Sequence, residues 1–353
     1  MSDLAPAAAD RIAARAALDR LWAAGRDFLG CEAAIMGGAM SWVSERKLTA
    51  AISNAGGFGV LACGSMGPGL LEAEIAATQA LTRAPFGVNL ITMHPQIDDL
   101  VAVCVAAGVS HVVLAGGIPS GGAVRAVKDG GAKLICFAPA LVLAKRLVRS
   151  GADALVIEGS EAGGHTGPVS LTVLAQEILP HVRAVPVFVA GGLGRGEAVL
   201  AYLEMGAAGA QLGTRFAAAA ESIAHPRFKQ AFVRAAARDA VLSVQLDPRF
   251  PVIPVRGLAN EGTKRFLEYQ AETLARFQSG ELTKEAAQLA IEHFWAGALR
   301  RAVIDGDIEQ GSVMAGQSVG LVTSVQTVAD IIAEIVEQAM AALLARHMIA
   351  THG

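Results

Sequence analysis

The sequence has few aromatic residues and few cysteines for a chain of 353 residues. Aromatic residues make up only 5%, whereas hydrophobic residues reach 53%, so the core must be built mainly from aliphatic and small side chains. The four cysteines, Cys31, Cys63, Cys104 and Cys136, lie far apart in apolar stretches and form no C-x-x-C pair. We therefore expect free, buried thiols rather than a disulfide or a metal site.

An excess of charge is also lacking. The formal net charge is −3 and the basic residues are scattered, which argues against a nucleic-acid-binding protein. The N-terminal segment MSDLAPAAADRIAARAALDRLW mixes Asp with Arg and lacks the apolar core of a signal peptide. No stretch reaches the roughly 18 to 20 apolar residues of a membrane span. We expect a cytoplasmic protein that binds neither nucleic acid nor membrane.

Short apolar runs alternate with longer helical patterns from Ala33 to about Ala220. The runs are continuously hydrophobic, as is typical of parallel strands that are covered on both faces. We count eight of them: Ala33–Met36, Gly59–Ala62, Gly87–Ile91, His111–Leu114, Lys133–Ala138, Ala154–Ile157, Val187–Ala190 and Ala208–Leu212.

The segments between these runs carry helix start signals, with Ser44 as an expected N-cap and Pro68 and Pro139 expected to open two further helices. Eight strand–helix units favour an α/β fold closed into a (β/α)₈ TIM barrel. An open doubly wound sheet is the alternative.

The alternation ends after Phe216. HPRFKQAFVRAAARDA and the region from Asn260 to about Arg301 have helical patterns, and DPRFPVIPVRG between them reads as extended. We expect an N-terminal helical arm (1–30), a barrel (31–222 with 308–353) and a smaller, mostly helical lid or substrate subdomain (223–307). The amphipathic stretch Thr327–His347 should pack on the barrel, with a homodimer contact as the alternative.

Ligands of such barrels bind at the loops that follow the strands, and EGSEAGGHTGP (Glu158–Pro168) follows the sixth. Two adjacent glycines before His165 let the backbone pass close to a flat ligand and aim the imidazole at it. Because imidazole titrates near neutrality, His165 is the candidate for proton transfer. No other histidine stands in a comparable loop, and His111, at a strand start, is expected to be structural.

Glycine-rich turns follow the seventh and eighth strands, AGGLGRGE (Ala190–Glu197) and GTRF (Gly213–Phe216). Such turns at helix N-termini offer free N–H groups to a phosphate, and Thr214 can add its hydroxyl. Plain turn geometry is the alternative for each glycine pair alone. GLGRGE lacks the acidic residue that a dinucleotide fingerprint carries about 20 positions later, so a mononucleotide phosphate is expected.

Three further features fall on the same rim. MGGAMSWVS (Met36–Ser44) follows the first strand, and its glycines permit close approach of the backbone to a ligand. Asn89 in the third strand and Gln211 in the eighth carry amides that can bond the edge of a heterocycle. Taken alone, each amide is equally consistent with a hydrogen-bonded core residue.

The sequence resembles the nitronate monooxygenase (2-nitropropane dioxygenase) family, including its FMN-dependent enoyl-ACP reductase II branch, in the motifs IMGGAMSWVS, NAGGFGVLACG, PFGVNLI, EGSEAGGHTG, VFVAGGLGRGEA, AQLGTRF and GSVMAGQSVGL. The match spans about Ala33 to Val322. The resemblance implies a barrel flavoprotein that uses FMN as its cofactor, with no metal.

The resemblance also assigns residues. His165 matches the catalytic histidine of the family. The flavin would contact Gly37, Gly38, Ala39, Asn89, Glu158, Gly163 and Gly192. The phosphate of FMN would lie on turns formed by Gly191, Gly192, Gln211, Leu212, Gly213 and Thr214.

Two sites depart from many nitronate enzymes. Met36-Gly37-Gly38-Ala39-Met40 stands where those enzymes read Gln-Ala-Pro-Met, and Glu158 stands where they often have Gln. Both departures, with the tail motif SVMAGQ, lean toward the reductase branch.

The leading hypothesis is therefore oxidation of alkyl nitronates, small acidic substrates, by FMN and O₂ to carbonyl compounds and nitrite. The alternative within the resemblance is an NADH-dependent enoyl thioester reductase, which would need a long apolar channel under Leu246–Leu258. A third hypothesis, from another class, is a non-redox barrel that binds a phosphorylated metabolite.

Overall fold

The computed structural model describes residues 8–64, 66–247 and 252–352, with the backbone alone for 347–352. Its strands in chain order are β1 (Ile35–Gly37), β2 (Gly59–Ala62), β3 (Phe86–Ile91), β4 (His111–Ala115), β5 (Lys133–Phe137), β6 (Ala154–Glu158), β7 (Gly164–His165), β8 (Val187–Ala190), β9 (Gly209–Leu212), β10 (Ala240–Leu242) and β11 (Val255–Leu258).

Eight of these strands form one parallel sheet in the order β1-β9-β8-β6-β5-β4-β3-β2. A parallel bridge between Met36 and Phe58 brings β1 beside β2, so the two ends of the sheet meet. The predicted (β/α)₈ barrel is therefore confirmed, and all eight predicted strands lie within two residues of the observed ones. The remaining strands form a small antiparallel sheet, β10-β11-β7.

Helices follow the barrel strands and continue beyond them. Pro68 begins its helix as predicted, whereas the helix expected at Pro139 begins two residues later, at Leu141. The helices are α1 (Ala8–Leu21), α2 (Ala23–Leu29), α3 (Arg46–Asn54), α4 (Pro68–Leu81), α5 (Ile97–Ala106), α6 (Gly121–Asp129), α7 (Leu141–Arg149), α8 (Leu171–Ile178), α9 (Gly196–Glu204), α10 (Thr214–Ala217), α11 (Pro226–Arg234), α12 (Glu261–Gln278), α13 (Lys284–Val303) and α14 (Val328–His352).

The prediction that Ser44 caps the helix after β1 is wrong. Glu45 is the N-cap of α3, and its side chain accepts a hydrogen bond from the Leu48 N–H at 3.2 Å. The Ser44 hydroxyl instead donates to the Gly38 carbonyl at 2.7 Å and accepts from the Met40 N–H at 3.1 Å. Ser44 thus stabilises the loop after β1 rather than the helix that follows it.

The end of α2 closes the bottom of the barrel. Leu29 is fully buried among the residues that fill the barrel interior, which include Met36, Phe58, Val60, Val113, Ile135, Val156 and Phe188. The Phe28 carbonyl accepts from Lys133 Nζ and lies 2.9 Å from His111 Nε2. Because His111 and Lys133 are the first residues of β4 and β5, these contacts fasten the N-terminal arm to the strand starts.

Residues 223–307 contain α11, the ribbon of β10 and β11, and the antiparallel pair α12 and α13. The pair has its own buried apolar cluster, formed by Val252, Val255, Phe266, Ala287, Ile291 and Trp295. β11 also pairs with β7 and so joins this segment to the loop after β6. Part of the predicted extended stretch forms β11, while its residues 248–251 lie outside the described ranges. The proposed domain boundaries stay a prediction.

The long helix α14 packs against α9 and α1 on the outside of the barrel. Its apolar side chains Ile331, Ile332, Ile335 and Met340 are buried, as expected for the amphipathic stretch Thr327–His347. A homodimer contact stays a prediction. Within the described ranges, no helix has the length and apolar character that a bilayer crossing requires.

All four cysteines are free thiols, as predicted, and three of them are buried while Cys31 is partly buried. Burial raises the pKa of Cys63 to about 11 and the pKa values of Cys31, Cys104 and Cys136 to about 12. Thiols with such pKa values are almost entirely protonated near neutral pH.

Replacing Leu29 by Ala should lower the free energy of unfolding by about 2–5 kcal/mol, because the change leaves a cavity at the base of the barrel. Leu70 on α4 is 55% exposed and is the matched control. Leu70→Ala should change the free energy by less than about 0.5 kcal/mol. Urea unfolding followed by circular dichroism measures both values, and equal effects would contradict a closing role for α2.

Candidate active site

Two polar side chains face the inside of the barrel at the carboxyl ends of β6 and β9, the strands on either side of β8. Glu158, Ala190, Gln211 and Met36 lie in register across β6, β8, β9 and β1. Residues in register across a sheet point to the same face. Since Met36 and Ala190 belong to the cluster inside the barrel, Glu158 and Gln211 also point into the barrel mouth.

Asn89 joins this layer from the opposite wall. It lies in register with Ala62 and with Val113, and Val113 packs inside the barrel. Asn89 is 5% exposed and Gln211 is 8% exposed. Within the described residues, no hydrogen bond is made by either side-chain amide, and neither amide is among the fully buried polar groups without a partner, so both keep access to the space of the mouth. The two amides are therefore available to a bound ligand or to water.

Glu158 is the third polar group of the layer. Burial raises the pKa of its carboxyl to about 7, and no residue of the described ranges forms an ion pair with it. An acid with such a pKa can hold or release a proton under physiological conditions. Asn89, Gln211 and Glu158 thus present amide groups and a titratable carboxyl to the same space.

Glycines bring the surrounding loops together by direct backbone contact. A Cβ atom on Gly163 would lie 2.5 Å from the Gly316 nitrogen, and one on Gly191 would lie 2.8 Å from the Gly159 carbonyl oxygen. Gly191 and Gly192 have φ angles of 91° and 72°, in the region that favours glycine. The loops after β6 and β8 and the segment 311–322 therefore converge at one side of the mouth.

The loops after β1 and β9 meet on the adjacent side. The Gly38 N–H donates to the Leu212 carbonyl at 2.9 Å, and a Cβ on Gly38 would lie 3.3 Å from the Gly213 Cα. Thr214 Oγ1 accepts from the Gly316 N–H at 3.0 Å and keeps its own hydrogen to donate. The helix that begins at Thr214 has only four residues, so it adds little dipole to a phosphate site.

His165 lies in the small sheet rather than in this layer. Its strand β7 pairs with Val255 of β11, and the next residue, Thr166, donates its N–H to the Pro254 carbonyl at 3.1 Å. Its Nε2 lies 3.0 Å from the carboxylate of Glu292 on α13, and the two side chains are 40% and 41% exposed. The partner of the predicted catalytic residue is therefore a carboxylate from the distant helical pair.

The other histidines with described contacts have structural roles. His111 is 2% exposed, its Nδ1 lies 2.9 Å from Ser110 Oγ, and burial lowers its pKa to about 4. His94 and His225 accept hydrogen bonds from nearby backbone N–H groups. The structural interpretation of His111 is confirmed.

Three residues with notable roles near the predicted site residues were not predicted from the sequence. Arg215 is 3% exposed, and it donates to the Gly194 carbonyl at 2.7 Å and to the Glu334 carboxylate at 2.8 Å, which fixes the loop after β8 against α14. Its charge inside the small-residue motif GTRF was the available signal. Trp42, in the loop after β1, has a φ of 66°, which is rare for a bulky side chain. For Glu292, no local sequence pattern indicated a role at the site.

Comparison with known proteins gives the class of this architecture. FabK from Thermotoga maritima is similar over 92% of this chain and 98% of its own, with 35% identity and a TM-score of 0.82. A nitroalkane oxidase from Streptomyces ansochromogenes is similar over 91% and 99% of the two chains, with 25% identity and a TM-score of 0.74. The fold and these neighbours define a barrel oxidoreductase.

The model of the nitronate monooxygenase family matches residues 24–107 and 96–338, and the chain belongs to that family. A curated relative from Rhodococcus jostii, 30% identical over 89% of this chain and 94% of its own, is named (3aS,4S,5R,7aS)-5-hydroxy-7a-methyl-1-oxo-octahydro-1H-indene-4-carboxyl-CoA dehydrogenase. Another, from Staphylococcus saprophyticus, is named a probable nitronate monooxygenase and is 28% identical over 75% and 88% of the two chains.

Replacing Glu158 by Gln should stabilise the ligand-free protein above pH 7 and have little effect below pH 4.5. The folded pKa lies above the unfolded value of 4.5, so ionisation costs stability as the pH rises from 4.5 to about 7. The amide cannot ionise and avoids this cost. Urea unfolding on both sides of the window measures the difference, with Glu72→Gln on the exposed face of α4 as the control. The same difference at both pH values would contradict a raised pKa of Glu158.

Proposed function

We propose that this member of the nitronate monooxygenase family is an FMN-dependent nitronate monooxygenase that oxidises alkyl nitronates with O₂ to carbonyl compounds and nitrite. The observation that carries the proposal is the barrel mouth, where Asn89 and Gln211 lack protein partners inside a rim of glycine turns. A flat heterocycle with polar edges and a phosphate tail fits such a set of groups. The family comparison supports an oxidoreductase, so we do not propose the non-redox phosphate-binding barrel.

The residues present fit FMN. The polar edge of an isoalloxazine can bond the amides of Asn89 and Gln211, and the ring would lie beside the loop after β1, which carries Gly37, Gly38 and Ala39, and beside Gly163 in the loop after β6. The turns at Gly191–Gly192 and Gln211–Thr214 would hold the phosphate through N–H groups, with the Thr214 hydroxyl as a further donor. When bound, FMN supplies the electron transfer between the substrate and oxygen.

His165 would act on the substrate itself. Its imidazole is partly exposed and belongs to the loop that follows β6, where it contacts Glu292 of α13. A neutral imidazole can take a proton from the carbon of a nitroalkane, and it can donate a hydrogen bond to a nitro oxygen. Glu158, whose pKa is raised to about 7, can exchange a proton at the mouth.

A second candidate is an NADH-dependent enoyl thioester reductase. The Rhodococcus jostii relative is named as a dehydrogenase of a carboxyl-CoA substrate, which favours thioester chemistry in this family. Next to β11, apolar side chains are exposed along the ribbon: Val241, Leu242, Val244, Leu246 and Ile253. A cavity bordered by Val255, Leu258 and Trp295 holds only about 20 Å³, room for one water molecule, so an acyl chain would lie along the outer surface of the ribbon.

Replacing Gly163 by Ala should abolish or strongly weaken FMN binding, because the new methyl group would push the loop after β6 away from the Gly316 backbone. Gly167 in the same loop has open space around its Cβ position, so Gly167→Ala is the matched control and should retain FMN. Flavin fluorescence titration of the apoprotein measures both dissociation constants. Equal affinities would contradict a flavin site at this contact.

The purified FMN-loaded protein should be yellow and should consume O₂ when given propionate-3-nitronate or a nitroalkane anion. His165→Ala should keep the flavin and the fold but lose turnover on neutral nitroalkanes by about 10²–10⁴-fold, the usual contribution of acid–base catalysis. Oxygen-electrode assays with nitrite detection measure this.

Three other results would count against the proposal. Anaerobic bleaching by NADH with reoxidation by a crotonyl thioester, without nitronate-dependent O₂ uptake, would favour the second candidate. A colourless protein that does not bind added FMN would exclude both candidates. Unimpaired turnover of the His165 variant would remove His165 from the mechanism.

A further inference from the structure

The imidazole of His165 and the carboxylate of Glu292 come from parts of the chain that are far apart in sequence. His165 belongs to β7, in the loop after β6, and Glu292 belongs to α13. The Nε2 and Oε2 atoms lie 3.0 Å apart, which is within hydrogen-bond distance. The contact therefore links the predicted catalytic side chain to the helical pair above the barrel.

Each partner is held by its own element. Pairing with Val255 fixes the backbone of His165, and the adjacent Thr166 is bonded to Pro254. On α13, the neighbours Ile291 and Trp295 are 1% and 6% exposed and pack in the apolar cluster with Phe266. Glu292 is thus placed by the buried face of its helix, and its carboxylate reaches His165 without being part of the core.

The chemistry of the two groups determines where the proton lies. A neutral imidazole carries one N–H, on either Nδ1 or Nε2, and an ionised carboxylate can only accept a hydrogen bond. With the carboxylate at Nε2, the favoured tautomer has its hydrogen on Nε2. The lone pair then remains on Nδ1, and the hydrogen bond made by one ring nitrogen sets the role of the other.

We propose that Glu292 is a positioning residue that holds His165 in the Nε2–H tautomer and leaves Nδ1 as the nitrogen that accepts the proton from substrate. This inference rests on the proposed catalytic role of His165. With a neutral nitroalkane, the C–H bond breaks, its electron pair passes to the nitro group, and the proton forms a bond to Nδ1. The resulting imidazolium is paired with the Glu292 carboxylate, so no unpaired charge develops on the ring.

The test is ¹⁵N nuclear magnetic resonance of the full-length, FMN-loaded protein labelled at histidine. Ring ¹⁵N shifts distinguish a protonated from an unprotonated nitrogen, and His165→Gln identifies the signals of His165 by their loss. The sharp variant is Glu292→Gln, which keeps the size of the side chain but offers both a donor and an acceptor. Glu285→Gln, in the first turn of the same helix, is the matched control.

We expect a single Nε2–H tautomer for His165 in the unmodified protein and in Glu285→Gln, and a mixture of tautomers in Glu292→Gln. If Glu292 only packed against His165, the tautomer of His165 would be unchanged in Glu292→Gln. That result would overturn the inference. An Nδ1–H tautomer in the unmodified protein would overturn it too. Because half-exposed pairs add little to folding stability, Glu292→Gln should remain folded and bind FMN.

Kinetics separate this inference from the proposed function. With a neutral nitroalkane, Glu292→Gln should lower kcat by about tenfold or more while KM changes little, as when an orienting partner of a reactive group is lost. If the tautomer shifts in Glu292→Gln but His165→Gln turns over normally, the catalytic role of His165 fails and the tautomer assignment stands. If the tautomer does not shift, the inference fails whatever the activity.

Discussion

At Gly163 and Gly191 the main chain of one loop contacts the main chain of another, and the shape of the barrel mouth depends on these contacts. Any Cβ at either position would lie within 3 Å of a neighbouring main-chain atom. Only glycine tolerates such an approach, and Gly191 also adopts a positive φ. Through these contacts the loops after β6 and β8 and the segment 311–322 form one rim. The hydrogen bond from the Gly316 N–H to Thr214 Oγ1 ties this rim to the end of β9.

The barrel and its glycine loops could be predicted because their signals are local. A strand that is covered on both faces must be apolar along its length, so runs such as Val187–Ala190 are visible in the sequence alone. The loops could be located because they follow those runs directly. Local sequence rules are less reliable where two neighbouring residues can both cap the same helix. Ser44 and Glu45 can both cap a helix. Glu45 is the cap because the hydroxyl of Ser44 is bonded to the Gly38 carbonyl, which the tertiary structure brings next to it.

The contacts that complete the site could not be predicted, since they join residues that are distant in the chain. The pairing of β7 with β11 places His165 beside α13, and no periodic pattern marks a two-residue strand. Arg215 lies in a motif that the sequence singled out, yet its partner Glu334 lies on the last helix. Likewise, Leu29 enters the barrel from an arm that carries no functional motif. Contacts between such distant residues form only in the folded tertiary structure, so no local sequence pattern predicts them.

The state of the four thiols has a consequence for the chemistry that the molecule can withstand. Peroxide and other oxidants attack the thiolate form of cysteine, and burial with a raised pKa keeps that form scarce. A barrel built with exposed, acidic thiols would be damaged by the reduced oxygen species that electron transfer to O₂ can release. In the described part of this chain, burial shields the thiols from such oxidants, and the exposed sulfur atoms belong to methionines such as Met93 and Met205.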